Sequence, residues 1–185
     1  EYLEENNFSV YLITLILSGA PFILLLFYFY KALKLFNINF KDKIILLLGL
    51  GAGTLYLPFS TVLNNHISAG CFLFASFYYL LRIRITKPSS YKINFYLALS
   101  GFFASLSAVI DLPTGFTFLL LFLAYVCFFI SPLKSIYYIL SALPFIIIHL
   151  ILNFQITGDF LPAQFHPEYA YHENLIWNRL GEAGQ

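Results

Sequence analysis

Methionine is absent from this sequence, and charged side chains are scarce. Only 10% of the 185 residues are charged and 60% are hydrophobic, whereas a typical soluble domain is about 25% charged, so the composition excludes a soluble globular domain. The 10 Lys and Arg residues are nearly balanced by 9 Asp and Glu, so the chain lacks the basic excess of a nucleic-acid-binding protein. Since the sequence begins at Glu1 without a methionine, we expect it to be part of a longer protein, with at least one further helix before Glu1.

Motifs of several enzyme and transporter classes are missing as well. The two cysteines, Cys71 and Cys127, lie within apolar runs and form neither a disulfide framework nor a metal or redox motif. The glycines at positions 49, 51 and 53 also lie in an apolar run, where close helix packing explains them better than a phosphate-binding loop. No Asp, Glu, Lys or Arg lies in the middle of an apolar run, which argues against a pump or an ion-coupled carrier.

Long apolar runs are what the sequence does contain. A bilayer core about 30 Å thick needs roughly 20 apolar residues in a helix. We therefore predict an all-α fold, a polytopic integral membrane bundle of about six transmembrane helices over residues 1–152, followed by an external polar segment over 153–185. The predicted spans are 8–30, 44–63, 67–81, 93–110, 112–130 and 136–152.

Charge separates across this topology. Nine basic residues fall on one side, which the positive-inside rule makes cytoplasmic: Lys31, Lys34, Lys41, Lys43, Arg82, Arg84, Lys87, Lys92 and Lys134. Eight acidic residues fall on the other side: Glu1, Glu4, Glu5, Asp111, Asp159, Glu168, Glu173 and Glu182. Asp42 is the exception. We therefore expect a bacterial inner-membrane protein with both ends of the chain on the external, periplasmic side.

Two polar turns are predicted on the external side. The first contains Asn64, Asn65 and His66, and it is either a hydrated turn in which an Asn caps the next helix or a polar patch that binds a head group or a sugar. The preceding glycines and Pro58 favour a broken helix end beside a cavity. The second turn contains Asp111, which either caps a helix that begins near Pro or lies at a cavity rim, where it orients a hydroxyl or a cation.

The tail after residue 153 is rich in Asp, His, Glu and Tyr. It is either a sugar- or phosphate-binding external loop or an interfacial segment anchored by Tyr169, Tyr171 and Trp177. The one cofactor that the composition of the tail suggests is a divalent metal such as zinc, for which His166, Glu168 and His172 have suitable donor atoms. However, Pro167 breaks any helical register and no recognised metal-binding spacing is present, so no metal site is assigned. Earlier, in the sixth span, His149 and Asn153 lie one turn apart and share a helix face, which favours interhelical hydrogen bonding over a proton relay.

Several short motifs occur in a characteristic order: GTLYLPFS at 53–60, Asn-His at 65–66, SAVIDLP at 107–113, GDFLP at 158–162 and His-Pro-Glu at 166–168. This order resembles that of bacterial polytopic proteins related to the C-type glycosyltransferases, the dolichyl- or polyprenyl-phosphate-sugar mannosyltransferase-like group. The resemblance implies an integral membrane enzyme that takes a sugar from a polyprenyl-phosphate donor on the external face. In that superfamily the key acid usually lies in the first external loop, of which only Glu1, Glu4 and Glu5 could be the end here.

Glycosyl transfer from a lipid phosphate requires a carboxylate to activate the acceptor, and cationic or amide groups near the phosphate. The candidate catalytic acids are Asp111, Asp159 and Glu168, and the candidate substrate-binding residues are Asn64, Asn65, His66, His166 and Arg179. Arg179 is the single external basic residue, although a lone Arg in a tail is often merely solvated. The alternative hypothesis is a non-catalytic membrane subunit or scaffold of a larger complex, whose partners are membrane lipids and other membrane subunits.

Overall fold

The structure of the chain, a computed structural model, describes residues 2–162, with side chains described from Phe8 onward. The regular elements in that range are helices, so the predicted all-α class is confirmed. In chain order they are α1 Tyr2–Thr14, a π-helical turn Leu15–Gly19, α2 Ala20–Leu35, α3 Phe40–Ala52, α4 Tyr56–Ser60, α5 Asn65–Thr86, α6 Ser90–Ile110, α7 Leu112–Tyr125, a second π-helical turn Val126–Ile130 and α8 Ser135–Thr157.

Five helical segments are long and apolar enough to cross a membrane, which indicates an integral membrane protein. They are Phe8–Leu35, Asn65–Thr86, Ser90–Ile110, Leu112–Ile130 and Ser135–Thr157, and each covers one of the predicted spans. These helices expose many large apolar side chains, such as those of Phe128 and Ile148. Exposing so much apolar surface to water would be costly, whereas in a bilayer these side chains contact acyl chains.

The second predicted span, 44–63, differs from the expectation because it does not form one helix. The helix α3 ends at Ala52, and only the short α4 follows before residue 63. At the break, the hydroxyl of Thr54 donates to the carbonyl of Leu50 at 2.7 Å and accepts from the amide of Tyr56 at 3.2 Å. At 1.5 Å per residue, α3 is about 20 Å long, too short to cross a bilayer core alone.

Packing of α2 against α5 nevertheless shows that this broken segment crosses the bundle. The Ser68 hydroxyl donates to the carbonyl of Leu17, and the hydroxyls of Tyr28 and Tyr79 lie 3.3 Å apart. Residue numbers rise together in both pairs, so α2 and α5 are parallel. Because α2 ends at one end of the bundle and α5 begins at the other, the chain between them returns through α3 and α4. The helix that is broken in the middle therefore replaces the continuous second span.

The neighbouring helices α5 and α6 are antiparallel and joined by buried hydroxyls. The hydroxyls of Ser76 and Ser100 lie 2.8 Å apart, and the Ser107 hydroxyl donates to the carbonyl of Ala69 at 2.9 Å. In a lipid environment such interhelical hydrogen bonds contribute about 0.6 kcal/mol each on average. Small side chains along this seam allow the two backbones to approach, so the seam fixes the height of the end of α6 relative to the start of α5.

Helix α7 and the first part of α8 belong to the first compact unit of the chain, Glu1–Phe145. The hydroxyl of Tyr138 on α8 donates to the carbonyl of Leu119 on α7 at 3.1 Å in a fully buried position. The rest of α8 belongs to a second unit that begins at Ile146. In that unit α8 ends at Thr157, and the ring of Phe160 beyond it stacks on the ring of Phe154 in the last turn, with 5.0 Å between the centroids.

Candidate functional site

The start of α5 is fixed by its capping residue and by a contact with the first long helix. The side chain of Asn64 accepts a hydrogen bond from the amide of His66 at 2.7 Å, which is the N-cap arrangement expected for an Asn at this position. The backbone of Asn64 is held in turn by Ser18, whose hydroxyl accepts from the Asn64 amide at 3.2 Å and donates to its carbonyl at 3.4 Å. The turn that carries His66 is therefore tied at both its backbone and its side chain.

Ser18 lies in the π-helical turn between α1 and α2 and is fully buried. A π-helical turn inserts one extra residue and leaves backbone carbonyls available to partners outside the helix, and such turns are frequent at functional sites. Here the hydroxyl of Ser68, one turn into α5, donates to the carbonyl of Leu17. The start of α5 therefore packs against the irregular turn in the first long helix.

Asp111 separates α6 from α7 and is only 9% exposed. Its backbone carbonyl accepts from the amide of Gly115 at 2.8 Å, which begins α7. A side chain at Gly115 would collide with the backbone of Ser107 and Ala108, so only glycine permits this close approach of α7 to α6. Asp111 occupies the N-cap position of α7 with Pro113 in the first turn, as predicted, but its carboxylate makes no capping hydrogen bond.

The carboxylate of Asp111 instead bonds His66. The distance between Asp111 Oδ2 and His66 Nδ1 is 2.7 Å, across 45 residues of sequence. The side chain of Asn65 adds a second link, since its Nδ2 donates to the carbonyl of Ile110 at 3.3 Å. Two of the sequence-predicted polar turns are thus brought together at one end of the bundle, and this cluster is called the His66–Asp111 pair below.

Exposure differs sharply between the two members of the pair. The Asp111 side chain is 10% exposed, whereas that of His66 is 68% exposed. With Nδ1 bound to the carboxylate, the imidazole is held in one orientation, and its Nε2 makes no hydrogen bond to any of residues 8–162. The arrangement therefore presents one ring nitrogen outward and a buried carboxylate behind it, which is the geometry of an oriented general base.

A small open cavity of about 220 Å³ adjoins His66. Its lining residues are Leu55, Tyr56, Phe59, Asn64, His66 and Ile67. The helix α4 and the break before it therefore form one wall, and the start of α5 forms the other. Aromatic faces opposite one imidazole and one amide suit a ligand that has both hydroxyl groups and an apolar face, as a sugar does.

The other sequence-predicted candidates are Asp159 and four residues of the tail. Asp159 belongs to the second compact unit, where it is exposed and its Oδ1 accepts from the amide of Leu161 at 2.5 Å in a local turn. The candidates Glu168, His166, Arg179 and His172 lie outside the described residues. Within residues 2–162 there is no group of three His, Cys, Asp or Glu side chains arranged to hold a metal ion.

His149 and Asn153 also lie in the second unit, on α8. Interhelical hydrogen bonds are predicted for this pair, but two of its nitrogens do not form them. His149 Nε2 and Asn153 Nδ2 are buried and have no hydrogen-bond partner among the described residues. Helical spacing places both side chains on one face, but that spacing does not supply an acceptor for their N–H groups.

Sequence reasoning missed two residues of the His66 region. No contact is predicted for Ser18 because it lies inside an apolar run, although an isolated hydroxyl in such a run can indicate a contact with another helix. Tyr56 directly follows the break after α3; it is part of the motif at 53–60, but no binding role is predicted for its ring. Comparison of the chain with protein-family models, curated proteins and solved structures found no match.

Proposed function

We propose that this chain is the membrane part of a glycosyltransferase-like protein that uses a polyprenyl-phosphate-linked sugar on the external face of a bacterial inner membrane. The observation that supports this proposal best is the His66–Asp111 pair, 2.7 Å between Nδ1 and Oδ2, beside a cavity at one end of the bundle. An outward imidazole with a buried carboxylate behind it can take a proton from a hydroxyl group.

The proposed reaction transfers a proton to the base and a sugar to the acceptor, and it releases the lipid phosphate. Nε2 of His66 accepts the proton of an acceptor hydroxyl while the hydroxyl oxygen forms a bond to the anomeric carbon of the sugar. The bond between that carbon and the lipid phosphate oxygen breaks, and polyprenyl phosphate leaves with the electron pair. Asp111 holds the imidazole in place and stabilises the positive charge that it acquires. Asp111 is thus a positioning residue in this proposal, and His66 is the base.

Asn64 and Asn65 support the base in addition to any contact with substrate. The Oδ1 of Asn64 is engaged by the amide of His66, so only its Nδ2 is available to a donor sugar or phosphate. The Nδ2 of Asn65 is engaged by Ile110, so its Oδ1 remains available as an acceptor. Tyr56 and Phe59 provide aromatic faces on which the apolar side of a sugar ring can stack.

The test is sugar transfer by the purified full chain in proteoliposomes, with polyprenyl-phosphate mannose and polyprenyl-phosphate glucose as donors and released polyprenyl phosphate as the measured product. His66→Gln is expected to lower turnover roughly 100-fold or more, as removal of a general base does, with a smaller change in KM. Asp111→Asn should also lower turnover. His149→Gln and Asp42→Asn make the same chemical changes at residues outside the pair and serve as matched controls.

Retention of full turnover by His66→Gln would refute the assigned base. Absence of turnover with both donors in the unsubstituted chain would remove the support for catalysis. The second candidate function, a non-catalytic subunit or scaffold, is favoured by the Asn65 link, because together with the His66–Asp111 pair it fastens two helix ends regardless of any reaction. On that hypothesis Asp111→Asn lowers only the stability or the assembly of the protein.

A further inference from the structure

The end of the bundle opposite His66 holds a half-buried arginine. Arg82 lies sixteen residues after His66 on α5, a distance of about 24 Å along the helix axis. Its guanidinium carbon is 4.7 Å from the centroid of the Tyr96 ring on α6, and Nη1 donates to the hydroxyl of Tyr78 at 3.4 Å. Two aromatic residues therefore hold the guanidinium in one place.

This guanidinium has no carboxylate partner among the described side chains. The one ion pair in that part of the chain is His66–Asp111 at the opposite end. The nearest candidate by topology is Asp42, but its Oδ2 accepts from Nδ2 of Asn39, the N-cap residue of α3, and its backbone amide donates to Oδ1 of the same side chain. A cation near the boundary of the hydrocarbon core is costly unless an anion or water compensates it, and an anion from outside the chain would meet that requirement at Arg82.

A second helix places cations at the same height. Tyr28 on α2 and Tyr79 on α5 touch through their hydroxyls, and the two helices are parallel. Lys31 and Arg82 each follow three residues later, so they lie at equal depth. The Lys31 ammonium also sits over an aromatic ring, that of Phe27, at 4.3 Å from its centroid. Cations at this end are thus matched by π faces instead of carboxylates, which leaves their donor groups available to a ligand.

We propose that Arg82 binds the phosphate of an anionic phospholipid from the leaflet at this end of the bundle. The planar guanidinium offers two parallel N–H groups to two phosphate oxygens, and the Tyr96 ring behind it fixes the plane of that fork. The lipid is anionic and not zwitterionic because the surrounding loops carry Lys and Arg almost exclusively, with Asp42 as the single acid of the set. This site is separate from the His66–Asp111 pair and does not depend on glycosyl transfer.

The test compares Arg82→Gln with Arg84→Gln, which removes the same charge two residues further along α5, where the side chain is exposed. The delipidated full chain in neutral detergent is titrated with phosphatidylglycerol, with phosphatidylcholine and with inorganic phosphate, and native mass spectrometry counts the bound lipid. We expect Arg82→Gln to weaken phosphatidylglycerol binding at least 5-fold, and Arg84→Gln to weaken it less than 2-fold. Phosphatidylcholine should bind the unsubstituted chain weakly, and inorganic phosphate should neither bind nor compete.

Tyr96→Leu provides a second variant that keeps every charge and removes only the ring behind the guanidinium. It should also weaken phosphatidylglycerol binding, by a smaller factor than Arg82→Gln. Equal losses in Arg82→Gln and Arg84→Gln would mean diffuse attraction to the basic loops and would overturn the proposal. Equal binding of phosphatidylcholine and phosphatidylglycerol, or competition by inorganic phosphate, would overturn the assignment to an anionic lipid.

Discussion

The carboxylate of Asp111 bonds the imidazole of His66 and not the backbone amides of its own helix, α7. An aspartate at an N-cap position ordinarily accepts from the second or third amide of the helix that it begins. Asp111 forgoes that bond, and the cost is offset by a charge-assisted contact with a side chain on α5. The carboxylate therefore joins two parts of the bundle that sequence proximity does not connect.

Because the His66 side chain is 68% exposed, solvent screens this contact and its contribution to stability is modest. We expect a double-mutant cycle with His66→Gln and Asp111→Asn to give a coupling free energy of about 0.5–1 kcal/mol. Unfolding of the detergent-solubilised protein with increasing dodecyl sulfate measures it. A coupling near zero would show that the two side chains do not interact in solution.

Glycine at position 101 is required for the approach of α6 to α8. A Cβ there would overlap the Tyr138 carbonyl oxygen and lie 2.5 Å from Ser141 Oγ. We expect Gly101→Ala to destabilise the protein by about 1–3 kcal/mol, since the obstacle includes backbone that cannot turn away.

Gly49→Ala on α3 is the matched control for this substitution, because a Cβ at Gly49 would meet nothing within 4 Å. Alanine is favoured over glycine in a helix, so Gly49→Ala should leave stability unchanged or raise it by up to about 1 kcal/mol. The same unfolding assay compares the two variants, and similar losses in both would contradict the packing of α6 against α8.

Ser18 holds the turn before α5 through two hydrogen bonds to Asn64. Ser18→Ala should cost about 0.5–1.5 kcal/mol and release that turn. Hydrogen–deuterium exchange is expected to speed up for the amides of 61–66 and to stay unchanged for those of α6. Thr117→Ala, which removes an exposed hydroxyl bonded only to Pro113 of its own helix, should change neither segment. Unchanged exchange at 61–66 in Ser18→Ala would show that the contact does not hold the turn.

The parallel packing of α2 and α5 predicts opposite locations for the two loops around α3 and α4. With the orientation that the positive-inside rule predicts, Thr61→Cys in a Cys71→Ala, Cys127→Ala background should react with a membrane-impermeant maleimide added outside intact cells. Asn37→Cys in the same background should react only after the cells are permeabilised. Reaction of both cysteines from one side would mean that the broken helix does not cross.

Sequence reasoning located the polar turns but not their partners. One of the two interpretations of the first turn has an Asn capping the next helix, because capping is a local relation between a side chain and an amide two residues away, and the structure has that bond at Asn64. The glycines and Pro58 favour a broken helix end for the same local reason, but the prediction kept 44–63 as one span, whereas the chain breaks between Ala52 and Tyr56, before Pro58. The contact of Ser18 with Asn64 spans 46 residues, and no local rule could predict it.

What the sequence by itself determined is the membrane-spanning, all-α character of the chain and the approximate bounds of five long helices. Hydrophobic length decides these properties, because backbone groups in hydrocarbon must be hydrogen-bonded internally and a helix does this within one apolar segment of about 20 residues. Which helices are neighbours was decided only by the tertiary structure. Lipid acyl chains solvate all apolar helix faces about equally well, so apolar content alone does not select a helix's neighbour. Contact between two helices depends on where small residues and hydroxyl groups let their backbones approach, as at Ser76 and Ser100. That packing sets α5 beside α6 and thereby brings His66 to Asp111.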